Sequence, residues 1–254
     1  GAGGAPTTQL LSFSGRMKKI PLGFGLVAVN DQIGPFNNQE VDLSLAYHLR
    51  LGRGNLRVGA SGGFFSSTIK FGEFSPVNPD PNIPSAGDEN QLRPKASVGI
   101  LYDRGNFYMG LSSRSLNEPA FDFGSGSLAN QLENHNYLLV GYKINTFAQF
   151  SVEPSILVKS VSLNTFSYDF SVIGTYNKRI SLGMAYRLEE SASVLVGYSL
   201  LKDNSLRLGY AFDLVVGGVQ AKRPSSHEFM LTYNLPEVSK QIDRIIQRTP
   251  RFRF

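Results

Sequence analysis

Apolar side chains recur at every second position over most of this chain, and no other feature restricts its fold so strongly. In 40–51, Val41, Leu43, Leu45, Tyr47, Leu49 and Leu51 alternate with Asp42, Ser44, Ala46, His48 and Arg50. A period of two marks a β-strand with one apolar face and one small or polar face. The stretch 191–214 holds two such runs joined by Lys202-Asp203-Asn204, a tight turn. Val194, Val196, Tyr198 and Leu200 share one side of its first run. Leu206, Leu208, Tyr210, Phe212 and Leu214 share one side of its second. Each run is about ten residues long, enough to cross a bilayer when tilted.

Two folds use this pattern with the faces exchanged. A soluble sandwich buries the apolar side, whereas a membrane barrel turns it to lipid. Charged residues make up only 18% of the chain, and aromatics 11% without any Trp. No run approaches the roughly twenty apolar residues of a membrane helix, which excludes a helical membrane protein but not a barrel. The absence of Cys excludes disulfides and thiolate metal sites. The chain starts with Gly and shows no signal peptide, so it reads as a mature or partial form. Its net charge is +5, but the basic residues are scattered over turns and a tail, and no nucleic-acid partner is expected.

Thirteen strands are expected: about 7–17, 21–30, 40–51, 55–66, 93–102, 106–115, 134–144, 147–159, 165–176, 179–188, 191–200, 205–214 and 226–235. The odd connections read as tight turns and the even ones as longer loops, including 31–39, 67–92 and 116–133. Adjacent antiparallel strands then gather all short turns at one end, as in outer-membrane barrels with short periplasmic turns. Charge follows the same split. Lys18, Lys19, Arg53, Arg104, Lys178, Arg179 and Lys202 fall at the short-turn end. Glu73, Asp80, Asp88, Glu89, Glu118, Asp122, Glu133, Glu189 and Glu190 fall on the long loops. The expected fold is therefore all-β: a transmembrane antiparallel up-and-down β-barrel. Bacterial barrels have even strand counts, so fourteen strands are expected, thirteen of them here and the first upstream of Gly1. The barrel would occupy 1–235 and a basic periplasmic tail 236–254.

No catalytic site is legible. His48, His135 and His227 stand at no metal-ligand spacing and read as lumen or rim residues, so no metal and no cofactor is expected. No nucleophile–base pair supports a hydrolase, and no enzymatic activity is expected. The polar face carries Asp42, Arg50, Arg57, Lys95, Arg114, Lys143, Glu153, Lys159, Asp169, Arg187, Arg207 and Asp213, which would line the lumen. An open lumen would mean a channel, a capped one a docking scaffold. The tail offers partner-binding candidates: Lys240, Ile242, Arg244, Ile245, Ile246, Arg248, Arg251, Phe252, Arg253 and Phe254. A disordered basic appendage is the plainer reading of the same residues.

Several local patterns occur in an order that resembles the PorP/SprF family of the Bacteroidetes type IX secretion system. They are Gly4-Ala5-Pro6-Thr7-Thr8 leading to Ser12, Asn30-Asp31 with Gly34-Pro35, and Ala46-Tyr47. They continue with Ser226-His227-Glu228-Phe229-Met230-Leu231, Tyr233 and Pro250-Arg251-Phe252. The resemblance implies a non-enzymatic barrel in the outer membrane that serves protein secretion and gliding motility. It would sit in outer-membrane lipid and help export or attach a secreted cargo or adhesin carrying a C-terminal sorting domain. It would also connect to periplasmic lipoproteins of the machine. The alternative from the residues alone is a general porin or small-solute channel.

Overall fold

The structure is a computed structural model and describes residues 5–73, 87–123, 128–146, 149–216 and 225–235. Its first six strands are β1 (Thr7–Arg16), β2 (Leu22–Ile33), β3 (Phe36–Leu51), β4 (Gly54–Lys70), β5 (Asp88–Arg104) and β6 (Phe107–Arg114). A short hairpin follows, β7 (Ala120–Phe123) and β8 (Leu128–Gln131). The chain continues with β9 (His135–Tyr142), β10 (Ile144–Asn145), β11 (Phe150–Val161), β12 (Thr165–Tyr176) and β13 (Ile180–Arg187). It ends with β14 (Ser191–Leu200), β15 (Leu206–Val215) and β16 (Ser225–Tyr233). Every long strand pairs antiparallel with its neighbours in sequence, in one 14-stranded sheet that includes the two-residue β10 as a side strand on β11. Hairpin β7–β8 forms a separate small sheet. Among the described residues β1 pairs only with β2, and β16 only with β15.

The alternation sorts the two faces as expected. On β3 the odd residues face one way and Glu40, Asp42, Ser44 and Ala46 the other, and the register carries this across the sheet: Leu45 opposes Ala60, Asp42 opposes Gly63, and Gly63 opposes Lys95. Apart from the hairpin no protein layer covers either face among the described residues, yet their exposures differ sharply. Leu43 is 66% exposed and Met184 68%, whereas Asp42 is 7% and Ser199 3%. An uncovered face is buried only if the sheet curls around it, so the polar face is the concave one.

The connections differ from the sequence reading. The loop expected over 31–39 is strand except for the two-residue turn Gly34-Pro35, with Ile33 opposing Phe36. Gly34 takes φ +55° and proline follows with its fixed negative φ, the pattern of a type II′ hairpin. The connections 162–164 and 188–190 are tight as well. Only 71–87, 115–134 and 216–224 remain long at that end, so the sorting of loops by length is partial. The cause is strand length: β3, β4 and β5 run to 16, 17 and 17 residues and absorb polar positions that composition marked as loop.

Candidate functional site

The outer face changes character along β3, β4 and β5. Val41, Phe64 and Pro94 form its last fully apolar row toward the long-loop end. The rows beyond hold Gln39 with Ser66 and the exposed Leu92, then Asn37, Thr68 and Asn90. Asn90 donates to Ser66 Oγ and Thr68 Oγ1, both at 2.7 Å, and Gln39 donates to Asn30 Oδ1 at 3.1 Å. From Val41 to Leu51 the apolar stretch of β3 extends about 34 Å at ~3.4 Å per residue. Tilted by about 40°, it rises about 26 Å, the height of the lipid-facing band of a membrane barrel. The upper ends of β3–β5 therefore stand beyond the band as a mainly polar wall, interrupted by Leu92.

Inside that wall lies a charge cluster. Lys95 reaches across β4 to β3, with its Nζ 2.5 Å from Glu40 Oε1 and 2.9 Å from Asp42 Oδ2. Gly63, opposite both Asp42 and Lys95, makes the crossing possible, because a Cβ there would lie 2.0 Å from Val41 O and 2.3 Å from Asp42 Oδ1. Arg114 on β6 also pairs with Glu40, reaching over three strand spacings of the concave face. The Lys95 side chain is 1% exposed. Asp42 Oδ1 and Ser97 Oγ are buried here without a hydrogen-bond partner.

Hairpin β7–β8 folds over the same inner face. Phe121 and Phe123, 3% and 2% exposed, pack with Ile69 and Phe71, flanked by Phe65 and Leu132. Phe65 meets Phe121 edge-on, with ring centroids 5.7 Å apart. Side chains of β5 hold the hairpin backbone: Arg93 Nε donates to Ala120 O at 2.9 Å, and Gln91 Nε2 donates to Asp122 O. Arg93 also lies over the Phe121 ring. The segment entering the hairpin is tied by Asn117, which donates to Pro94 O at 2.7 Å and accepts from Ala96 N at 3.0 Å. The inner mouth is thus covered along β4 and β5.

Other lumen charges are paired along the wall. Asp169 accepts Lys159 Nζ at 2.6 Å and Arg187 Nε at 2.9 Å, and Arg187 Nη1 meets Glu190 at 2.9 Å. Tyr108 donates to Glu153 at 2.9 Å, and Arg57 pairs with Asp103. Arg207 and Asp213 also face inward by register, as does Arg50 near the turn end. His48 and His135 share this face. His227 does not: it lies at the rim of the outer face, with Nδ1 2.8 Å from the Tyr210 hydroxyl and its ring against Phe212. Glu40 and Arg93 were missed from the sequence, although the alternation places both on the polar face.

At the opposite end Lys143, expected on the lumen face, instead joins Lys178, Arg179 and Lys202 around a cleft of about 660 Å³. No acidic residue lines it. Next to it Asp203 is held below the usual carboxylate range by hydrogen bonds from the Ser205 hydroxyl and backbone N–H. The tail candidates Lys240, Ile242, Arg244, Ile245, Ile246, Arg248, Arg251, Phe252, Arg253 and Phe254 lie outside the described residues.

Residues 1–233 match the family described as type IX secretion system membrane protein PorP/SprF. The chain belongs to this family. No curated protein matches it. Among solved structures it is similar to a FadL homologue of Pseudomonas aeruginosa, at 13% identity and a TM-score of 0.48, over 89% of this chain and 74% of that one. For a PorP/SprF membrane protein the apolar convex face is the lipid face and the charged concave face is the lumen of a transmembrane up-and-down barrel. The chain is a membrane component of the type IX secretion machinery.

Proposed function

We propose that this chain is a non-enzymatic scaffold of the outer membrane that helps export or attach cargo at the long-loop end and links to periplasmic subunits at the turn end. The observation that carries the reading is the β7–β8 hairpin seated over the inner mouth along β4 and β5, beside a lumen wall on which Glu40, Asp42, Lys95, Arg114, Lys159, Asp169 and Arg187 pair. A conduit for free solutes needs an open, hydrated passage, whereas a mouth narrowed along β4 and β5 next to a raised polar wall suits docking of a secreted protein or its sorting domain. At the other end the four cations lining the 660 Å³ cleft, with no acidic residue among the lining, suit an acidic segment of a periplasmic lipoprotein, and the basic tail acts with them as an anchor.

The test is a mild-detergent pull-down of the full-length protein with mass spectrometry, paired with single-channel recording in planar bilayers. The reading expects periplasmic subunits or a surface adhesin in the eluate and no steady conductance. Recovery of the barrel alone from exporting cells, together with steady conductance, would replace it with a porin. Deleting 236–254 should reduce recovery of periplasmic partners, and unchanged recovery and cargo display would remove the tail from the mechanism.

A further inference from the structure

One register row crosses the outer face through Ala60, Val98, Ser113, Asn136, Ser160 and Phe166. The wall is dented along this row. A groove of about 730 Å³ opens there, its apolar lining including Val58, Ile100, Leu111, Leu138, Val158 and Leu163. Ser160 faces the lipid side and is nevertheless only 5% exposed. Asn134, above the row, links two of its polar residues: Asn134 Nδ2 donates to Ser113 Oγ at 2.8 Å, and Asn136 Nδ2 donates to Asn134 Oδ1 at 2.7 Å. That use of Ser113 as acceptor leaves its hydroxyl hydrogen, and the Ser160 hydroxyl, to serve a ligand.

We propose that this groove holds one acyl chain of an outer-membrane lipid, with the chain's ester or amide carbonyl against Ser113 and Ser160. The inference rests on the membrane-spanning reading. The groove is continuous with the lipid-facing band, so its natural occupant is a lipid chain. Its mainly apolar lining offers water few partners, and an empty groove would forfeit dispersion contacts. Its volume falls in the range of small-molecule sites. The row also climbs along the barrel: Ala60 is six residues beyond the start of β4, whereas Ser160 is ten beyond the start of β11. At a tilt of about 40°, ten residues rise about 26 Å, so the Ser160 hydroxyl stands at the long-loop edge of the band, where the linkage of an outer-leaflet lipid lies, with Ser113, six residues beyond the start of β6, lower on the same row. No charged side chain lines the groove, which favours an uncharged carbonyl linkage over a phosphate as the polar contact.

The experiment uses the full chain, extracted in mild detergent, washed with a delipidating detergent and analysed by native mass spectrometry. Val98→Trp fills the groove. Leu182→Trp, on the same face at β13, is the control. Vesicle flotation and heat-shifted gel mobility report insertion and folding for all three. The expected result is one lipid per wild-type and control chain, and at least tenfold less on Val98→Trp. A further variant, Ser113→Ala with Ser160→Ala, should lose the lipid with the groove left open. A wild type that floats but retains no lipid overturns the groove proposal alone. Equal retention by Val98→Trp, or a polypeptide in place of the lipid, does the same. A wild type that fails to float overturns the membrane reading as well.

Discussion

Replacing Lys95 by Met should be among the most damaging single changes in this barrel. Methionine keeps the length and most of the volume of lysine, so packing is nearly conserved. What disappears is the cation between Glu40 and Asp42, whose side chains are 12% and 10% exposed. Glu40 keeps Arg114, but Asp42 is left with no cation in contact among the described residues. Removing one partner of a buried pair costs about 3–5 kcal/mol, and the retained Arg114 places the expectation toward the lower end. That is roughly two to four orders of magnitude in the folding equilibrium. The assay is equilibrium urea unfolding from lipid vesicles, followed by heat-shifted gel mobility. The companion Glu40→Gln/Asp42→Asn/Lys95→Met removes all three charges and leaves Arg114, 44% exposed, to water. It should recover at least about 2 kcal/mol, since the penalty comes from stranded charge and not from a lost attraction. A Lys95→Met loss below about 1 kcal/mol, or a triple variant no better than the single, would refute the account.

Gly63→Ala should abolish the heat-shifted folded band, because its Cβ would collide with Val41 O, while neighbouring Gly62→Ala, whose Cβ meets nothing within 4 Å, should fold normally. Phe121→Ala with Phe123→Ala should cost about 3–5 kcal/mol per ring in hairpin docking. It should leave the barrel folded, raise hydrogen exchange over 120–131 and produce conductance absent from the wild type. Lys178→Glu/Arg179→Glu/Lys202→Glu should lower recovery of periplasmic partners severalfold in a salt-sensitive manner, and unchanged recovery would remove the cleft from the interface.

The wall was legible because its signal is repetitive. Each strand restates the period of two, so an error at one end, such as starting β3 at Glu40 instead of Phe36, costs little. The connections were less legible, because Gly-Pro and runs of Asn, Gln and Ser mark both loops and polar strand extensions. Only the pairing of Ile33 with Phe36, and of Asn90 with Thr68, tells them apart. The turn at 162–164 carries positive φ on Ser162 and Leu163, which no glycine announces. The hairpin at 120–131 was hidden for another reason. Four residues of alternation are too few to read, and what fixes them is the distant side chains of Phe65, Gln91 and Arg93. The charge cluster was half legible: alternation gives the inward face, but which of its charges meet depends on curvature and on the missing side chain at Gly63.

The extension of β3–β5 beyond the lipid band bears on how a cargo would be held. A binding surface on loops must be ordered when the partner arrives, at about 0.5–1.5 kcal/mol per immobilised side chain. Here the polar rows are fixed beforehand by the ladder and by Asn90 bonding to Ser66 and Thr68. If cargo docks on this wall, deleting 74–86 and closing β4 to β5 with a short turn should leave cargo recovery within about threefold of wild type. Asn90→Leu with Thr68→Leu, which keeps the strands but replaces their outward polar row, should lower recovery at least tenfold, about 1.4 kcal/mol. The opposite pattern, recovery lost on loop deletion and kept in the double variant, would place recognition in the loop and leave the raised wall as support. Both variants keep the residues of the lipid band, Lys95 and the hairpin, and normal heat-shifted mobility in each is the control that makes the comparison interpretable.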